Sequence, residues 1–118
     1  MDLNNVFTEL REIMLPYAHK LVCTIDEADH LYVNSKHILE NHKPLWFGGV
    51  QIKKNYVSYH LMPVYLNPLL LDGISPDLKK RMQGKSCFNF NSSNLIFFEE
   101  IRKLTKACFD DYQKKGYT

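Results

Sequence analysis

The sequence predicts an α+β fold, an antiparallel sheet of about five strands with helices from the two ends of the chain packed on one of its faces. Three observations predict it. Apolar residues near both ends recur at three- and four-residue steps, the stripe of an amphipathic helix. The middle holds short runs rich in aromatic and β-branched residues, bounded by Pro, Gly and Asn. Helical segments do not alternate with the strands, which favours helices gathered on one side of an antiparallel sheet over a parallel βαβ arrangement.

In the first segment, Val6, Phe7, Leu10, Ile13, Met14, Tyr17 and Leu21 form the stripe. Asn4 or Asn5 is expected to cap this helix, and Pro16, which lacks a backbone donor, to kink or stop it close to residue 15. Residues 21–34, LVCTIDEADHLYVN, read as two short strands around an acidic turn at 26–29. LWFGGVQIKK and YVSYHLM read as a hairpin joined near Lys54 and Asn55, with Pro44 and Pro63 at its ends. Gly48 and Gly49 are poor strand residues and mark a bulge or a close backbone approach. A loop rich in Pro, Asn and Leu follows. SPDLKKRMQG then predicts a short helix, with Ser75 as N-cap, Pro76 at its first position and Gly84 just past its end.

KSCFNFN alternates as a fifth strand, and SSN leads into a last helix whose stripe is Phe97, Ile101, Leu104, Cys108 and Tyr112. Glu99 and Glu100 near its start, and Lys114 and Lys115 before Gly116, suit the helix dipole. Glu99 with Lys103 and Asp110 with Lys114 have the four-residue spacing of helix ion pairs. No linker or internal repeat divides the chain, so residues 1–118 are read as one domain.

Composition narrows the function classes. A chain of 118 residues can build one sizeable core, and seven Tyr, seven Phe and one Trp suit a sheet-rich fold. The net charge of +2 comes from residues spread along the chain, which argues against nucleic acid and against an anionic membrane surface as partners. The densest basic run, Lys79, Lys80 and Arg81 with Lys85, reads as a solvated helix face. Three widely spaced Cys make neither a disulfide framework nor a zinc knuckle, and reduced thiols point to a cytoplasmic setting. The first residues lack the apolar run of a secretion signal, and no stretch has the length of a membrane span.

Strand alternation separates the two sheet faces. Val57, Tyr59 and Leu61 are expected toward the helices with Trp46, Val50, Ile52, Phe88 and Phe90. The open face then receives Gln51, Lys53, Ser58, His60, Cys87 and Asn89, flanked by Tyr56 and Met62 and extended by Tyr32 and Asn34. Such a face is either the wet side of a sheet or a ligand-binding surface. His, Cys, Gln and Ser depart from the Thr, Lys and Glu of an ordinary solvated face. His60 and Cys87 together also admit a base and a nucleophile, the parts of a small enzyme or a covalent ligand carrier. Against that, a lone strand Cys commonly serves packing, and no orienting acid is evident. Alternation further places Cys87 in reach of solvent, with an ordinary thiol pKa of about 8.5, and Cys23 and Cys108 on buried sides.

Two short strings carry no chemistry. GKS at 84–86 lacks the upstream glycine of a phosphate loop and leads from helix to strand, and DEAD at 26–29 stands alone as an acidic turn. Metal binding has candidate ligands in Asp26, Glu27, Asp29 and His30, with Glu9 and Glu12 on the first helix. Carboxylate and imidazole donors suit iron, and the plain alternative is a set of solvated acids on a turn.

The strings WFGGVQIKKNYVSYHLMPVY and LLLDGISPDLKKRMQGKSCFNF, with the helices at either end, resemble the YdhG-like family, a domain of unknown function. The resemblance implies a frataxin-like α/β sandwich, a bacterial cytoplasmic setting and, from relatives regarded as intracellular iron chaperones, iron as cargo. The expectation is therefore a non-catalytic cytoplasmic binding domain that uses its open sheet face for a small ligand or a protein partner. An enzyme or carrier working through Cys87 and His60, or a purely structural interaction domain, is the alternative.

Overall fold

Asp2 opens the first helix: its carboxylate accepts a hydrogen bond from the Asn5 N–H at 3.1 Å, satisfying one of the donors a helix leaves free at its start. The computed structural model describes residues 2–118. Helix α1 spans Leu3–Ala18, so Asn4 and Asn5 lie inside it, and Asp2 is the cap. Pro16 does not stop it. The helix passes through Pro16 and closes at His19, whose N–H reaches the Leu15 carbonyl at 3.1 Å.

Five strands follow, β1 Val22–Glu27, β2 His30–Ile38, β3 Pro44–Ile52, β4 Val57–Leu61 and β5 Cys87–Phe90, in the spatial order β1-β2-β3-β4-β5 with every neighbour antiparallel. The expected strand pair around the acidic turn and the expected hairpin are both present. In the hairpin, the Lys53 N–H bonds to the Tyr56 carbonyl at 2.7 Å.

The Pro- and Leu-rich stretch is more ordered than a loop. Met62 leaves the strand and begins α2, Met62–Leu66, and a 3-10 turn covers Pro68–Gly73. Each carries a Pro near its start, where a missing amide donor costs nothing. Helix α3, Pro76–Lys79, has Ser75 as its cap, with the Ser75 hydroxyl accepting from the Leu78 N–H at 3.2 Å. The carboxylate of Glu100 receives the Ser75 N–H at 2.6 Å and its hydroxyl at 2.9 Å, which ties α3 to the last helix. Gly84 does not end α3. It lies in the turn before β5 with φ of 81°. Residues 81–83 pair with β5 through a Met82–Phe88 bridge.

Helix α4, Leu95–Lys114, is capped by Asn94, which accepts from the Phe97 N–H at 2.9 Å. It ends as its Gly116 suggests. With φ of 80°, Gly116 lets its own N–H reach Gln113 at 3.1 Å and the Tyr117 N–H reach Tyr112 at 2.9 Å, the paired bonds of a Schellman motif. The surface pairs are Glu99–Arg102, Lys106–Asp110 and Asp111–Lys115, in place of Glu99–Lys103 and Asp110–Lys114.

One core lies between the sheet and the two long helices. Leu10, Ile13 and Met14 of α1 and Ile101, Leu104 and Cys108 of α4 are buried with Leu31, Val33, Val50, Val57, Tyr59, Leu61, Phe88 and Phe90 of the sheet. Among the described residues, no helix is long and apolar enough to cross a membrane.

One irregularity reverses an expectation. Pairing of β2 with β3 passes from Val33–Gly48 to Asn34–Trp46, skipping Phe47. This is a β-bulge, and it inverts the alternation of every β3 residue before it. Phe47 turns into the core against Tyr17, Phe109 and Tyr112. Trp46, expected toward the helices, turns to the other face. The Tyr112 hydroxyl of α4 donates to the Trp46 carbonyl at 2.8 Å and holds the bulge from beneath.

Candidate functional site

Directly paired residues in adjacent antiparallel strands share a face. Two transverse rows follow on the side away from the long helices. One runs Ile25, Tyr32, Gly49, His60, Cys87, and the other Glu27, His30, Gln51, Ser58, Asn89. Gln51, Ser58, His60, Cys87 and Asn89 are thereby brought together. Lys53 lies just past the end of β3, exposed.

The first row has a gap at Gly49, and Trp46 fills it. A Cβ on Gly49 would stand 3.5 Å from the indole and 2.7 Å from the Leu31 carbonyl, so glycine is what leaves room for both. The indole stacks on Tyr32 at 5.1 Å between ring centres with 10° between planes, and leans on His60 at 5.1 Å and 39°. Its N–H donates to the Gly48 carbonyl at 2.8 Å, which fixes its orientation. His30 meets Tyr32 edge-on at 6.0 Å. The result is a half-buried aromatic strip across β2, β3 and β4, with Trp46 at its centre.

Sequence reasoning missed Trp46 as a member of this face. The signal available was the Gly48–Gly49 pair, which marked a bulge without saying which side of it would be inverted.

The polar members are held inward. Ser58 is buried and its hydroxyl donates to the Gln51 carbonyl at 3.4 Å. The Nδ1 atom of His60 is shielded from solvent and has no hydrogen-bond partner among the described residues. Burial, and then the nearby Lys53 charge, lower the His60 pKa below its ordinary 6.5. Protonation would place an N–H at Nδ1 with nothing to receive it.

Cys87 pairs directly with His60 but is not the accessible thiol expected. Only 8% of its surface is exposed, because His60 lies on one side and the segment 81–83 pairs with β5 on the other. Its thiol lies 3.4 Å from the Asn89 side-chain oxygen, and burial pushes its pKa up to about 11. Cys23, expected to be buried, is exposed on edge strand β1, where the register shifts between Cys23 and Ile25. Cys108 is buried in the core, and its pKa is raised by that burial.

Asp26, Glu27, Asp29 and His30 do not converge. Asp26 pairs with Leu31 and so faces α1, where both carboxylate oxygens bind Arg11 at 2.8 and 2.9 Å. Glu27 pairs with His30 on the opposite face, and Asp29 is exposed in the turn between the strands. Among the described residues, no three His, Cys, Asp or Glu side chains form a group that could hold a metal ion.

Compared with protein-family models, with curated proteins and with solved structures, the chain matches none. Fold and site together define an α+β meander sheet, helices on one face and an aromatic-centred surface on the other.

Proposed function

We propose that the protein is a cytoplasmic, non-catalytic binding domain that uses the open face of its sheet to hold a small ring-bearing ligand or an aromatic side chain of a protein partner. The observation that carries this reading is the Tyr32–Trp46–His60 strip, assembled from three strands on the face that the long helices leave free. Aromatic rings supply large contact area at little conformational cost, and Trp and Tyr are the side chains most enriched at the energetic centres of interfaces. Gln51 and Asn89 lie in the adjoining row, partly exposed, and supply hydrogen bonds at the edge.

Chemistry at Cys87 is disfavoured on physical grounds. A nucleophilic thiol must be ionised near neutral pH, and burial drives this one the other way, to about 11. The slight net charge of +2 favours a small ligand or a protein surface over nucleic acid. Iron draws on the family resemblance alone.

Native mass spectrometry of freshly purified protein tests the reading. A retained mass on the wild type, lost from a folded Trp46→Ala variant, is the expected result. A retained mass that persists unchanged in that variant contradicts it.

A further inference from the structure

A pocket of about 550 Å³ lies between α2 with the 3-10 turn and the segment ahead of β5, and shares no residue with the Trp46 face. Two chain segments form it. Val64 and Tyr65 of α2 with Pro68 and Leu71 of the 3-10 turn line one wall, and Met82, Gly84 and Lys85, ahead of β5, line the other. The floor is apolar: Val64 is buried and Leu71 and Met82 are half-buried. Pocket size and lining are those of sites for small organic ligands.

Two features give the site a direction. At its rim, the Lys85 ammonium lies 5.9 Å from the centre of the Tyr65 ring and pairs with no carboxylate among the described residues. Gly84, at φ of 81°, has no atom within 4 Å of the place a Cβ would occupy, so the mouth beside Lys85 stays open. The site is thus a half-open apolar cleft with one cation at its edge that has no carboxylate partner among the described residues.

We propose that this cleft binds an amphipathic monocarboxylic acid, with the methylene tail against Val64, Leu71 and Met82 and the carboxylate at Lys85. A single ammonium matches a single negative charge, and Tyr65, half in water, can cover the first methylenes of the tail. Each methylene buried raises affinity about fourfold until the cleft is full.

Calorimetric titration with hexanoate, octanoate and decanoate, kept below their aggregation limits, tests the proposal against decanol and decyltrimethylammonium. Affinity is expected to rise along the acid series and to rank decanoate above decanol above the cation. Lys85→Gln, a surface change, should weaken decanoate about fivefold and leave decanol unchanged. Leu71→Trp, which fills the cleft, should abolish binding of both while Trp46 keeps its environment in a Trp46-resolved indole NMR signal. Equal binding of decanoate and the cation, or decanoate affinity unchanged by Lys85→Gln, would overturn the proposal. So would a ligand-free dimer that Leu71→Trp splits, because the cleft would then belong to a second copy of the chain.

Discussion

The imidazole of His60 leans on the indole of Trp46 at 5.1 Å, and the Nδ1 atom of that imidazole is shut from solvent without a partner. Trp46 is the sole Trp of the chain, so indole emission comes from this site alone. Burial and Lys53 hold the His60 pKa below 6.5, which leaves the ring neutral at pH 7. A charged imidazole quenches an adjacent indole. Trp emission is therefore expected to fall on acidification with a midpoint below pH 6.5, and to lose that step in His60→Gln.

The same shift carries a stability consequence. With the folded pKa below the unfolded one, the unfolded chain binds more protons between the two values, so stability rises with pH across that window. Below pH 6.5 the protein should lose stability as the pH falls, and less steeply in His60→Gln. Urea midpoints at a series of pH values measure the difference in slope.

Thiol reactivity should follow exposure. Cys23 is exposed and should alkylate first, Cys87 slowly and Cys108 last. Because burial raises the Cys87 pKa to about 11, its rate should climb through the alkaline range with no inflection near neutrality. Peptide mapping after timed alkylation resolves the three sites. An inflection at Cys87 below pH 7 that His60→Ala removes would indicate an activated nucleophile.

Gly48 and Gly49 should not tolerate a methyl group. A Cβ on Gly48 would collide with the His60 carbonyl and stand 2.9 Å from the Met14 side chain, and one on Gly49 would stand 2.7 Å from the Leu31 carbonyl. Alanine at either position should cost about 1–3 kcal/mol by overpacking. The change at Gly49 meets the indole directly and should also alter Trp46 emission in the folded state.

Inside the core, Thr105 donates to the Ile101 carbonyl at 2.7 Å, so its hydroxyl hydrogen is already used. The Tyr59 hydroxyl, 2.7 Å away, must therefore be the donor to Thr105. Thr105→Val strands a buried donor and should cost about 1–3 kcal/mol, whereas Tyr59→Phe strands none and should cost about 1 kcal/mol. Denaturant unfolding of both variants and of the double variant would show whether the costs overlap, as expected for one shared bond.

Much of the architecture was legible because local rules and tertiary packing agree in this chain. Alternation in β4, β5 and the second half of β3 placed Ser58, His60, Cys87, Asn89 and Gln51 on one face, and Ser75 and Gly116 marked helix ends by their own chemistry. What escaped was set at long range. The bulge at Phe47 is decided by a ring that Tyr17, Phe109 and Tyr112 accommodate, and no local pattern predicts its effect on Trp46. Asp26 looked like one acid of a cluster because its partner, Arg11, lies fifteen residues earlier on another element. Cys23 depends on β1 being an edge strand, a property of the whole sheet order.

Hydroxyl-radical footprinting at residue resolution tests the central claim, that the Tyr32–Trp46–His60 face is a binding surface, most directly. The protein is oxidised once in an extract of its source cells and once after purification. Trp46 and Tyr32 should oxidise more slowly in the extract, while exposed residues elsewhere, such as Leu95 and Ile96 at the start of α4, react equally in both. Equal oxidation of Trp46 and Tyr32 in extract and in buffer would contradict the account and leave this face as the solvated side of the sheet.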